Sequence, residues 1–257
     1  MPRMSRTRSA TGIYHVLARG VNRQEIFYDD EDYHKYLETL IRIKDRSDYE
    51  ILGYCLMGNH IHLLIKEGRE GISRAMHRIG TSYAWWYNRK YDRSGHLFQN
   101  RFASECVENE PYLLAVIRYI HHNPVNAGIS LRPELYRWSS CRYYFGERDY
   151  LHNLTQRELI LSLFSDHTES AISRFRSYIE EGCSDQCLDY KDNKRINDEK
   201  LNQMIISIIG NRPIQTIRQM DKRQRDEALR KIKQIEGSTL RQISRLTGIG
   251  LKVVHKA

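Results

Sequence analysis

No apolar run in this chain of 257 residues comes near the ~20 residues needed to span a bilayer. The opening MPRMSRTRSA is basic but has no apolar stretch behind it, so it lacks the layout of an export signal. From these two absences we expect a soluble, cytoplasmic chain with no membrane partner. Cysteine is scarce and scattered: five residues, an odd number, in a chain long enough to build a core without staples. Only Cys183 and Cys187 are close together, and one pair without a second makes a poor zinc framework, so a reducing compartment is expected. Acidic side chains are outnumbered, 32 against 41 lysines and arginines, which leaves a net charge of +9. That balance favours a polyanionic partner without identifying one. Internal repeats and low-complexity tracts are also missing.

What is present is a regular alternation of short patterns. Residues 12 to 18 (GIYHVLA) are rich in β-formers and read as a strand ending at Arg19-Gly20. Tyr33, Tyr36, Leu37, Leu40 and Ile41 fall at helical spacing after a cap at Asp29 or Asp30. Two β-type runs, YEILGYCLM and HIHLLIK, are split by Gly58-Asn59, residues that tolerate positive φ and suit a two-residue hairpin turn. A second amphipathic helix is marked by Ile72, Ala75, Met76, Ile79, Tyr83, Trp86 and Tyr87. A short strand follows at 102 to 107, and a third helix opens with Pro111 in its first turn. This order predicts an α+β fold with helices packed on one face of an antiparallel sheet. After YRWSSCRYYFG the pattern becomes helical only, so an all-α C-terminal extension is expected. We therefore divide the chain into residues 1–147, a catalytic domain; 148–199, a helical extension and polar linker; and 200–257, a small helical domain.

Two constellations could carry chemistry. In GNHIHLL, on a strand, His60 and His62 project to one face and offer two imidazoles just past a turn, although an isolated His-x-His also describes two surface histidines. In RYIHHNPVNAG, Tyr119 and Asn123 are four apart and share a helix face, which the spacing places away from the Leu113, Val116, Ile117 stripe. Asn123 precedes Pro124 and could instead cap a new turn there. Taken together, two nitrogens and an amide oxygen can hold a divalent ion with a phenol beside it. Such a set suits a phosphodiester: the cation neutralises charge developing on phosphorus-bound oxygens. Tyr119 can then attack, leaving a 5′-phosphotyrosine and a free 3′ hydroxyl. Mg²⁺ or Mn²⁺ fits a mixed nitrogen and oxygen set with open positions, and zinc would accept the imidazoles too.

GNHIHLLI resembles the His-hydrophobic-His motif of the HUH single-tyrosine transposases. YHVLARGVNRQEIF, GHLFQNRF, YLLAVIRYIHHNPVNAGI and YRWSSCRYYFG, in this order from about residue 2 to 146, are similar to the branch called REP-associated tyrosine transposases. The resemblance implies a ferredoxin-like core, Mg²⁺ or Mn²⁺ at His60 and His62, Tyr119 as nucleophile, Asn123 as third ligand, and cleavage of single-stranded DNA near a hairpin foot. Many relatives outside that branch carry Gln at the last position. Assembly as a monomer or a homodimer stays open. So do two rival readings, a non-catalytic, domesticated DNA-binding protein and an HUH replication or mobilisation endonuclease.

Arg3, Arg6 and Arg8 form a basic arm, Arg19 and Arg23 flank the end of the first strand, and Phe98 with Arg101 combines a ring with a guanidinium; these are the candidate DNA contacts. Trp85, Trp86, Tyr143 and Tyr144 are expected to be buried rings. The closing LRQISRLTGIGLKVVHKA has the apolar spacing of a helix-turn-helix, which would present Lys252 and Lys256 to DNA, though a plain helical hairpin has the same spacing.

Overall fold

A computed structural model describes residues 6–148, 151, 154–183, 185, 187–189, 196–235 and 237–257. The described residues form two compact units, 1–189 and 190–257.

The first unit begins with β1 (Ile13–Arg19), α1 (Asp30–Ser47), the hairpin β2 (Glu50–Met57) and β3 (His60–Lys66), α2 (Ile72–Lys90) and β4 (Ala103–Cys106). All pairings are antiparallel and the strand order is β2-β3-β1-β4, so this is the split β-α-β arrangement of ferredoxin-like folds. Asp29 caps α1 by accepting from the Asp32 amide in a capping box. The crossover helices α1 and α2 share one face, as expected, and cover Tyr14 and Val16 of β1 together with Ile61, Leu63 and Ile65 of β3.

The opposite face is covered as well. There α3 (Glu110–Asn126), α4 (Cys141–Tyr144), α5 (Glu158–Leu161) and α6 (Thr168–Glu180) contribute to a second apolar cluster with Cys55, Met57 and Leu64. Asn109 caps α3, and the helix runs through Pro124 to Asn126. The segment YRWSS lies along the outer edge of β2, where the Leu56 amide donates to the Trp138 carbonyl at 2.9 Å and Cys55 bridges Ser139. His121 of α3 bonds the Ser140 hydroxyl at 2.9 Å and thereby ties this helix to that edge. A bulge between Ile51 and Gly53 returns Gly53 to the α3 side, where it pairs with Leu64.

The Gly58-Asn59 turn differs from expectation, because neither residue adopts positive φ. A Cβ at Gly58 would lie 2.2 Å from a Glu25 carboxylate oxygen, so the Glu25 side chain would have to move, while the Gly58 carbonyl accepts from the amides of Ile26 and Phe27 at 2.8 and 3.0 Å.

The second unit holds α7 (Asp198–Ile208), α8 (Lys222–Lys233), α9 (Leu240–Thr247) and α10 (Leu251–Lys256) around Leu201, Ile205, Ile217, Leu229, Ile232, Ile243 and Val254. Residues 184, 186 and 190–195 of the expected linker lie outside the described residues. No helix among the described residues is long and apolar enough to cross a membrane.

Candidate active site

His60 and His62 leave β3 on the α3 face, as strand alternation requires, with Ile61 turned into the other core. Their ring centroids are 5.1 Å apart. The Tyr119 ring comes down from α3 to 5.7 Å from His62, so phenol and imidazoles converge within one chain. Tyr119 does not point away from the apolar stripe as the spacing predicted. It is 9% exposed and belongs to the same cluster as Leu113, Val116 and Ile117, because α3 is wrapped on several sides. Burial first, then the nearby Asp189 carboxylate, holds its phenol well above the usual tyrosine range, so it rests protonated.

Asn123 does not open a new turn at Pro124. It remains helical, one turn after Tyr119, and its Nδ2 donates to the Tyr119 carbonyl at 3.0 Å, which leaves Oδ1 as the atom to offer a cation.

His15 was missed by the sequence reading. It is fully buried on β1, diagonal to His62, with Nε2 3.0 Å from His62 Nδ1 and its ring 5.9 Å from Tyr119. A signal was available: a polar residue in the middle of IYHVLAR, a strand buried at nearly every position. Burial pushes His15 down to about 3 and His62 well below its ordinary value, the latter also repelled by His15 and His60, so both rings are neutral at pH 7.

A divalent cation fits these residues. His62 Nε2 is buried with no hydrogen-bond partner, a cost normally tolerated only where a ligand completes the group. His60 Nδ1 lies 2.7 Å from Asn59 Oδ1, and the Asn59 amide nitrogen donates to the Arg23 carbonyl at 3.4 Å, so Oδ1 accepts and His60 Nδ1 carries the proton. Among the described residues no three His, Cys, Asp or Glu gather into a set able to hold an ion by themselves. The remaining positions would fall to Asn123, water or substrate oxygens, the open coordination that Mg²⁺ and Mn²⁺ favour.

Arg3 lies outside the described residues, and the other candidate DNA contacts divide into three places. Arg19 is half-buried and sits opposite His60 in the β1–β3 register, with Arg23 in the following turn. A cleft of about 650 Å³ is lined by Arg6, Trp85, His96, Phe98, Arg101 and Phe102. There the Arg6 guanidinium lies 3.5 Å over the Phe102 ring and bonds the Phe102 carbonyl, so Arg6 is part of the wall and not a free arm, whereas Arg8 is exposed. Trp85, expected to be buried, is 65% exposed because it faces outward from α2, away from the stripe that packs on the sheet. Trp86 and Tyr143 are half-buried, and Tyr144 is buried as expected. In the second unit, Lys252 and Lys256 are exposed on α10, which follows α9 across Gly248 in the left-handed conformation.

Residues 9–123 match the family model described as "Transposase IS200 like". The matched segment runs from before β1 to Asn123, taking in His15, His60, His62 and Tyr119. Among solved structures, a REP-associated tyrosine transposase bound to a REP hairpin is similar at 18% identity and a TM-score of 0.49, over 61% of this chain and 92% of that one. A candidate transposase from Deinococcus radiodurans is similar at 14% identity and a TM-score of 0.33, over 44% and 91%. No curated protein matches this chain in sequence.

Proposed function

We propose that the chain is a divalent-cation-dependent enzyme that nicks and rejoins single-stranded DNA, at sites set by hairpin-forming repeats, with Tyr119 as nucleophile. The observation that carries this reading is the approach of the Tyr119 ring to 5.7 Å from His62 in a single chain. His60, His62 and Asn123 hold Mg²⁺ or Mn²⁺, which supplies charge neutralisation at the non-bridging phosphate oxygens.

In the first step Tyr119 Oη loses its proton as it attacks phosphorus, the P–O3′ bond breaks, and the departing oxygen takes up one proton to become a 3′ hydroxyl, so the step is proton-neutral overall. The phosphate remains on Tyr119 as a 5′-phosphotyrosine. Rejoining is the reverse attack by a 3′ hydroxyl, so no nucleotide cofactor is consumed. Because the phenol starts protonated, bound DNA must bring it into play by displacing what covers it. Arg19, opposite His60, is placed to meet a phosphate, while Trp85 and Phe98 offer faces on which unpaired bases can stack. Convergence within one chain favours action as a monomer. Lys252 and Lys256 are assigned to duplex contacts through a helix-turn-helix. The compartment is the cytoplasm, where DNA is met directly.

A denaturing gel of labelled hairpin DNA with Mn²⁺ tests the reading. A covalent protein–DNA adduct is expected with the native chain and should vanish in Tyr119→Phe. An adduct that survives in Tyr119→Phe refutes the nucleophile. Tight DNA binding with no adduct under any metal would leave the non-catalytic, domesticated reading in its place.

A further inference from the structure

We propose that His15 is a positioning residue that fixes the tautomer of His62, taking the Nδ1 proton of His62 in a hydrogen bond so that Nε2 presents its lone pair to the divalent cation. This inference rests on the metal-site reading above.

The argument is one of proton counting. Two neutral imidazoles carry one N–H each, and the 3.0 Å separation of His15 Nε2 and His62 Nδ1 requires one ring to donate and the other to accept. If His15 donates, His62 carries its own proton on Nε2, and that buried nitrogen has no lone pair for a cation. If His62 donates, Nε2 is free, and His15 carries its proton on Nδ1, which is buried and unpartnered. A cation at Nε2 selects the second arrangement, and in that state His15 serves as acceptor. The pattern repeats next door, where His60 is engaged through the same ring atom, Nδ1, by Asn59 Oδ1 at 2.7 Å. Both histidines of the pair are thus gripped at Nδ1, the arrangement by which outer-shell partners orient ligating imidazoles.

The burial of His15 argues in the same direction. It occupies a fully buried position on the strand between Tyr14 and Val16, where an aliphatic side chain would avoid stranding a ring nitrogen. A purely structural strand has no use for that cost. The His15 ring also stands 5.9 Å from Tyr119, so it holds His62 from the side on which the phenol lies.

The experiment uses the full chain. With histidine nitrogens labelled and the protein saturated with diamagnetic Mg²⁺, NMR should find the His62 proton on Nδ1 and a through-hydrogen-bond coupling from that nitrogen to His15 Nε2. A His62 proton on Nε2, or no coupling, overturns the proposal. Calorimetric titration with Mn²⁺ should show affinity weakened by about 10- to 100-fold in His15→Leu. In His15→Gln, whose amide oxygen reaches the place of Nε2 and accepts the same proton, affinity should recover to within a few-fold of the native chain. Equal losses for Leu and Gln in folded proteins would mean that His15 only fills space, and the proposal fails. If the native chain binds Mn²⁺ and His15→Leu binds it equally well, the inference alone falls. If the native chain binds no divalent ion, the metal-site reading falls and takes the inference with it.

Discussion

At the scale of single residues, burial decides chemistry as much as identity does. His121 is fully buried between Tyr144 and Phe175, bonded to Ser140, and pushed down to about 3 by desolvation and by His122. Its folded value lies below the ordinary 6.5 of the unfolded chain, so on acidification the unfolded chain binds the proton first. The stabilisation is complete above about pH 6.5 and is lost as pH falls from there toward 3. Between pH 7 and 5 this one group should cost about 2 kcal/mol. Urea unfolding at the two pH values measures it, and His121→Gln, which cannot take the proton, should lose correspondingly less; equal losses would remove His121 from the account. Trp85 makes a different kind of prediction. If bases stack on it, Trp85→Ala should weaken single-stranded DNA binding by about 5- to 150-fold, corresponding to roughly 1–3 kcal/mol per stacked base, while the adduct yield at saturating DNA stays unchanged. Undiminished affinity in a filter-binding assay would clear the cleft of that role.

At the scale of elements, the nucleophile depends on a helix seated on a glycine. A Cβ at Gly53 would meet Ile117 Cδ1 of α3 at 2.3 Å, so Gly53→Ala should overpack this contact by about 1–3 kcal/mol and lift Tyr119 from the histidines. Adding Ile117→Val removes the offending methyl, and the double variant should regain both thermal stability and adduct formation; a double variant no better than the single one would mean that the seat is unimportant. The elements themselves were legible because their periods were clean: strand, helix, hairpin, helix, strand and helix all appear where alternation or 3.6-residue spacing placed them. What escaped was contact at a distance. His15 belongs to a strand 47 residues before His62, and no local pattern joins them. The exposure of Tyr119 was misjudged because one helix's apolar stripe cannot reveal that other elements cover its flanks. Pro124 left a break after Asn123 open as an alternative, yet α3 passes through it. Gly58 was read as a positive-φ residue, when the neighbour pressing on it comes from the 25–27 segment, remote in sequence.

At the scale of the whole molecule, each unit has its own apolar cluster, so residues 1–189 should fold without the remainder. The shortened protein is expected to keep Tyr119-dependent adduct formation and to lose affinity for duplex flanks, with a shallower dependence of binding on salt because fewer phosphates are neutralised. Circular dichroism and a salt titration check both points; failure of the fragment to fold would show that the units stabilise each other. The central strands β1 and β3 lie between helices on both faces and between strands on both edges. Their amides should therefore exchange with deuterium only when the entire sheet opens, while helix ends and outer strands should exchange through smaller openings. Since His15, His60 and His62 all ride on those two strands, the imidazole cluster is expected to sit in the slowest-exchanging part of its unit, so thermal breathing of the nucleophile's helix should displace Tyr119 and Asn123 while the imidazoles keep their places.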